Sequence, residues 1–323
     1  MFDIISIGDS TIDHIAALED VTVNCTLNKD NCLFCMNYAD KIPITQLNHE
    51  VAGNAANNAV GSSRLGLNTA IWSIVGDDDG GNMIYQKLLD EKVTAQYLDI
   101  VDGTGTNYSM VLSFQGERTI LIYHEKRDYS MPRLEKSSWI YLTSMGEGWE
   151  KIIPPLLNYL KREGAKLAFN PGTYQMKSGI DVLRALFAVC DVLFVNKQEA
   201  ERLVNQSKRG DMAFLMMALK KEGPSIVVIT DGKNGSCFYD GANAYHMDVC
   251  QAPVVEMTGA GDSYATGFVG ALHYGLSVTE AVRWGTVNAA SVIGKIGPQA
   301  GLLTRDEVEE WLKTKCSHEP QKM

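Results

Sequence analysis

Basic residues, long apolar runs and an even set of cysteines are what this sequence lacks, and each shortage removes a class of function. Its 29 lysines and arginines stand against 39 aspartates and glutamates, a formal net charge of -10 over 323 residues. Nucleic acid and anionic lipid both require a basic face that displaces counterions, so neither is an expected partner and a small molecule is. No apolar stretch approaches the roughly 18 residues of a membrane span, and the chain enters a strand pattern by Ile4 without a basic leader. A cytoplasmic protein is expected. The 7 cysteines are odd in number and scattered, which argues against a disulfide framework. Cys25, Cys32 and Cys35 cluster, with His49 as a conceivable fourth ligand. Structural zinc needs four close donors, so reduced thiols in a surface element are the expectation.

Familiar ion and phosphate motifs are missing as well. A dinucleotide fingerprint would need glycine at Tyr264. The closest Walker-like dipeptide, Gly294-Lys295, is followed by Ile296 and has Ala289 where the first glycine belongs. Asp77, Asp78 and Asp79 lack the spacing and distal glutamate of a calcium loop and read as a solvated helix start.

What is present is organised around residues 254–268, VVEMTGAGDSYATGF. Phe268, Ala271 and Leu272 recur at helical spacing, so the glycine loop ends where a helix begins. Unpaired N–H groups and the positive end of the dipole meet there, and Gly259, Ala260 and Gly261 have no bulk to keep an anion away. Two jobs are open to Asp262 at the mouth of this hole: capping the helix, or taking a proton from an attacking hydroxyl.

With 45% hydrophobic residues, the chain can bury one large domain with a smaller appendage. Residues 2–8 read as a buried strand running into the polar turn Asp9-Ser10-Thr11-Ile12-Asp13, at the strand end where parallel sheets bind ligands. Asp13 is there either to hold substrate hydroxyls or to form the turn. Residues 14–50 lack a long amphipathic helix. A second small-residue loop enters a helix at Gly53, where Gly53 would let a ligand approach and Asn54 and Asn57 offer donors and acceptors. Residues 108–114 and 119–123 alternate as a hairpin. Strands at 139–142, 167–170, 192–195 and 226–230 then alternate with helices, which means a parallel sheet. Asn196 and Glu199 share a face at a helix start, where they also read as a capping box. Small residues beside Asn288 would let a flat ring lie close. The segment after Thr304 reads as an amphipathic helix and then a frayed tail, residues 317–323.

Taken together these residues resemble the PfkB, or ribokinase, family of carbohydrate kinases. One signature is met by Ala52-Gly53, Ala55, Asn57, Ala59, Gly66 and Gly76, the other by Thr258-Gly259-Ala260-Gly261-Asp262 with Gly267 and Phe268. The resemblance implies an α/β ribokinase-like fold: a mostly parallel central sheet flanked by helices (residues 1–13, 51–100 and 126–323) with a small β lid (14–50 and 101–125). It implies transfer of the γ-phosphate of ATP to a sugar hydroxyl, with Asp262 as catalytic base and Gly259, Ala260 and Gly261 as anion hole. Asp13, Gly53, Asn54 and Asn57 would bind the acceptor. Asn196, Glu199, Thr230, Gly232, Gly235, Thr258 and Asn288 would bind the nucleotide, with Glu199 near Mg2+ through water. A homodimer through the lid is expected. A nucleoside acceptor is the alternative within the family, and a non-catalytic sugar or nucleotide sensor the alternative outside it. Two departures stand out. Glu256 replaces the aspartate that in many members helps hold a monovalent cation, which makes K+ at Glu256 an open question, and Thr266 replaces a smaller residue.

Overall fold

The computed structural model describes residues 1–26, 32–115, 117–204 and 211–323. In chain order the strands are β1 (Phe2–Ile7), β2 (Thr11–Leu18), β3 (Thr22–Cys25), β4 (Cys32–Cys35), β5 (Ile44–Ala52), β6 (Thr69–Gly76), β7 (Thr94–Val101) and β8 (Asn107–Phe114). They continue as β9 (Glu117–Tyr123), β10 (Ser137–Leu142), β11 (Lys166–Phe169), β12 (Val192–Asn196), β13 (Ile226–Thr230), β14 (Ser236–Tyr239), β15 (Ala244–Met247) and β16 (Gln321–Lys322).

Strands such as β1, FDIISI, and β6, TAIWSIVG, are apolar on both faces and buried almost throughout. A strand of that kind must be covered on both sides, which is the condition of a parallel sheet between helices. The result is a ten-stranded sheet in the order β16-β15-β14-β13-β12-β11-β10-β1-β6-β7, parallel from β13 to β7 and antiparallel beyond. One face packs Ile5, Ile7, Leu142, Phe169 and Leu193 against Trp149, Leu156 and Phe187. On the other, Ile4, Tyr141, Phe194 and Val228 meet Phe268, Val269, Trp284 and Val287.

Those last four residues lie on the helices Ala260–His273 and Val278–Val292. Their close crossing needs glycine: a Cβ on Gly267 would sit 2.7 Å from the carbonyl oxygen of Trp284, and one on Gly285 2.7 Å from that of Tyr264. The crossing fixes the N-terminus of the first helix over the ends of β12 and β13.

A second sheet, β5-β2-β8-β9, stands apart. The expected polar turn at residues 9–13 is shorter than the sequence suggested, because Thr11 already pairs with Ala52 and Asn107. Asp13 therefore sits on a strand of the small sheet, and the β-branched Thr11 and Ile12 before it favour that conformation.

The cysteines also depart from expectation. Cys25 faces Cys32 across the antiparallel β3–β4 pair and the two are bonded. Cys250 and Cys316 are bonded across 66 residues. Cys35 is free, and His49 lies on β5 with its ring against His14, so the two do not close a metal site around Cys25 and Cys32. Nor is the tail frayed: after the helix Arg305–Thr314, β16 joins the edge of the main sheet beside β15.

Candidate active site

The helix Ala260–His273 begins after Gly259, which has φ +78° and serves as N-cap. Glycine adopts this left-handed conformation without strain. A Cβ there would also strike Pro298 at 2.5 Å, whereas around Gly261 nothing lies within 4 Å. The loop is thus packed on one side and open on the side where first-turn amides point.

Asp262 follows, 7% exposed. Its two oxygens accept from Asn54 Nδ2 and Asn57 Nδ2, each at 2.8 Å. Burial raises its pKa above the usual carboxylate value, and the two amides and the Arg118 charge pull it back. Asn54 and Asn57, expected to meet the acceptor, line the cavity in front of Asp262 and donate to its carboxylate. The second is oriented by Gln299 Nε2, 3.1 Å from its Oδ1. Thr266 donates to the carbonyl oxygen of Asp262 at 2.7 Å and accepts from Asn58 Nδ2 at 3.0 Å. Its bulk fits because Gly61 faces it, where a Cβ would lie 2.7 Å from the Thr266 methyl.

A cavity of ≈390 Å³ opens in front of Asp262, with Asp13, Ser109, Arg118 and His124 among its walls. Asp13 is 5% exposed. Burial pushes its pKa from 3.8 to about 7, helped by the charges of Glu256 and Asp262 and opposed by Ser109 and Arg118. Asp13 Oδ1 and Arg118 Nε are buried without a hydrogen-bond partner, both on the wall of the cavity. Such groups call for a polar guest. Asp9 accepts from Tyr129 Oη and lies 3.0 Å from His124 Nδ1. Gly53 lines the cavity too, but a Cβ there would meet Asp9 O at 2.6 Å, so its first requirement is the crossing of the β1–β2 turn rather than a ligand.

On the far side of Gly261 lies a wider cleft lined by Thr230, Gly232 and Gly235, with Lys197, Arg202 and Lys233 as its cations and Ala289, Ala290 and Ile293 at an apolar end. Ala260, Gly261, Thr230 and Tyr264 line both spaces, which therefore meet at the helix N-terminus. Asn196 and Glu199 form a reciprocal capping box, at 2.9 and 2.8 Å, and also line the smaller cavity. Burial raises the Glu199 pKa. Thr258, expected among the nucleotide-binding residues, lines the smaller cavity rather than the wider cleft, with its hydroxyl buried and unpaired.

Two residues turn their polar atoms to the protein itself. Asn288 is fully buried, donating to Ser263 O at 2.8 Å and accepting from Leu303 N at 3.0 Å. It joins the two helices to the following loop and has no face left for a nucleotide. Glu256 accepts from the backbone N–H of Thr258 at 2.8 Å and of Gly297 at 3.1 Å, one on each oxygen. It clasps two loops together.

Arg118, Ser109 and His124 were not singled out from sequence. Arg118, Ile120 and Ile122 alternate along β9 and all line the cavity, so the period-two pattern carried the signal.

The sequence profile of pfkB family carbohydrate kinases matches residues 2–305. A nucleoside kinase of Methanothermobacter thermautotrophicus is 25% identical, covering 98% of each chain. A 5-dehydro-2-deoxygluconokinase of Shouchella clausii is 27% identical over 80% of this chain and 85% of the relative. The structure of Arabidopsis thaliana ribokinase complexed with ribose and ATP superposes with a TM-score of 0.79 at 19% identity, over 97% of this chain and 99% of the other. With the profile spanning nearly its whole length, the chain belongs to the pfkB family of carbohydrate kinases.

Proposed function

We propose that this kinase transfers the γ-phosphate of ATP to a hydroxyl of a sugar held in the smaller cavity. The observation that carries the reading is the meeting of the two spaces at Ala260 and Gly261, with Asp262 on the acceptor side. Asp262 takes the proton of the attacking hydroxyl, and Asn54 and Asn57 hold the carboxylate in one orientation while it does so. The amides of Gly259, Ala260 and Gly261 stabilise charge on the transferring oxygens. Asp13 and Arg118 orient the acceptor, and Lys197, Lys233, Thr230, Gly232 and Gly235 hold the polyphosphate.

Glu199 fits magnesium: it lines the cavity, and one of its carboxylate oxygens is fixed by Asn196 N–H. Bound there through water, the ion supplies neutralising charge to the phosphates. Glu256 fits potassium poorly, since each of its oxygens already accepts a backbone N–H. Closure of the small sheet excludes water, which otherwise competes as acceptor. Leu121, Ile122 and Tyr123 are more than half exposed on that sheet, and a homodimer through this face covers them.

A nucleoside acceptor is the second reading, favoured by Ile120, Ile122 and Tyr123 at the outer end of the cavity, an apolar wall suited to a base. A thermal-shift screen with a non-hydrolysable ATP analogue separates the two. Stabilisation by free sugars, at ligand concentrations where nucleosides give none, supports the first reading. The reverse result establishes the second, and no shift with either class removes both.

A further inference from the structure

Outside the active site, two stretches far apart in sequence bring sulfur and imidazole together. Cys250 and Cys316, 66 residues apart, are joined as a disulfide with Cα atoms 5.4 Å apart, and both are buried. His318 completes the group: one ligand-type atom from each of the three lies within 4.8 Å of the others. Its ring lies over Cys316 Sγ, with both nitrogens at 3.9 Å. Nε2 is 3.1 Å from the carbonyl oxygen of Asp248. A carbonyl only accepts, so Nε2 carries the proton and Nδ1 keeps its lone pair. Imidazole ligands of metals show this division, with one nitrogen fixed by an outer oxygen and the other free to bind.

We propose that, once the disulfide is reduced, Cys250, Cys316 and His318 bind a zinc ion. A phosphine, which takes the oxygen of water and becomes its oxide while the two protons of that water go to the sulfurs, or a cellular dithiol, which closes to its own disulfide and gives up its two thiol protons, supplies the two electrons; the S–S bond breaks and both sulfurs become thiols. Binding then displaces both thiol protons, and the ion is held by two thiolates and Nδ1, with water in the fourth tetrahedral position. Two thiolates cancel the charge of the dication, so the site stays neutral where both cysteines are buried.

The position gives the ion a task. Cys250 forms part of the wall of the wide cleft, between Val249 and Gln251, while the segment after Cys316 runs on to His318 and β16. The disulfide fastens this tail to the cleft wall under oxidising conditions, and zinc keeps the same two segments joined under reducing ones.

The full-length protein, reduced with a phosphine and stripped of metal, is titrated with Co2+. Thiolate charge-transfer and tetrahedral ligand-field absorption report the ligands, and Zn2+ is then added as competitor. One equivalent of Co2+ per chain is expected, displaced by zinc, with none bound by the oxidised protein. The pair β3–β4 offers a rival set of sulfurs, so Cys35→Ser serves as control and leaves the titration unchanged. Cys316→Ser loses the stoichiometric site. His318→Ala, which alters a half-exposed side chain and keeps the test sound if the cysteine variant fails to fold, weakens Co2+ on the order of tenfold or more. The proposal is overturned if the reduced protein shows no thiolate band, if the band survives Cys316→Ser or is lost with Cys35→Ser, or if His318→Ala leaves the affinity unchanged. Every readout is metal binding, so the result stands apart from the acceptor reading.

Discussion

The two sheets meet at one cavity and are built on opposite terms. Around Asp262 the helix Ala260–His273 is buried along nearly its whole length, with ten consecutive buried residues from Asp262 to Ala271. The β9 strand that carries Arg118 has no buried residue. The proposed base sits on a helix held by packing on all but its first turn. Arg118 sits on the exposed edge strand of the small sheet, which can shift. The division makes a claim about kinetics: changes on the main-sheet side act on kcat, and changes on the small-sheet side act on the acceptor KM.

The hardest test of that division is Asp262→Asn. The amide keeps the shape and loses the base, and turnover should fall on the order of 10²–10⁴-fold, with nucleotide affinity by calorimetry changed only a few-fold. Retention of more than about a tenth of kcat would remove Asp262 from its role.

Asp13→Asn probes the other side and should raise the acceptor KM about tenfold to a hundredfold, with the ATP KM unchanged, as expected for loss of a charged hydrogen-bonding group. Its pH behaviour adds a second reading. The unfolded carboxyl ionises at 3.8 and the folded one at about 7, so between these values the folded state holds the extra proton and stability falls as pH rises. Above about pH 7 the penalty is complete, up to about 4 kcal/mol at 1.4 per unit. Wild-type kcat/KM for the acceptor should climb toward pH 7 as Asp13 ionises, and Asp13→Asn should lose that step and melt higher than wild type at pH 8. A wild-type profile flat through this range would contradict the assignment.

A smaller effect is expected from Leu121→Glu on the exposed face of the small sheet. For the homodimer proposed above, light scattering after gel filtration should show dissociation raised about tenfold or more, with kcat nearly unchanged. A dimer of undiminished strength would place the interface elsewhere.

Weakest of all is the potassium response. Glu256 supplies its own carboxylate to the loops that an ion would otherwise organise, so activity in potassium should barely exceed that in a large organic cation at matched ionic strength. Glu256→Asp, one methylene shorter, should increase the dependence. A strong requirement in the wild type, lost in Glu256→Asp, would make Glu256 a working ligand.

Legibility followed the same boundary. The main sheet could be read because its strands are apolar runs between helix-period segments, and residues 258–262 because small residues before a helix leave few alternatives. Asp13 was misplaced since Asp9 and Ser10 dominate the local signal and say nothing about how far the turn extends. Asn288 was misread through its neighbours: Ala289 and Ala290 do line the cleft, but the residue before them points inward. Cross-chain pairings, such as Cys250 with Cys316 or Asn57 with Asp262, leave no trace in local pattern, because they are set only when 66 or 205 residues of intervening chain have folded.

The amide clasp on Asp262 also bears on how the protein ages. Spontaneous hydrolysis of Asn57 to aspartate would change almost nothing in size, yet it would replace a donor at 2.8 Å with a second negative charge facing the first. One of the two carboxyls would then have to hold a proton at neutral pH. The shared proton would leave the net charge near neutral pH unchanged while it occupied the base, so aged enzyme would lose turnover without focusing as a more acidic form.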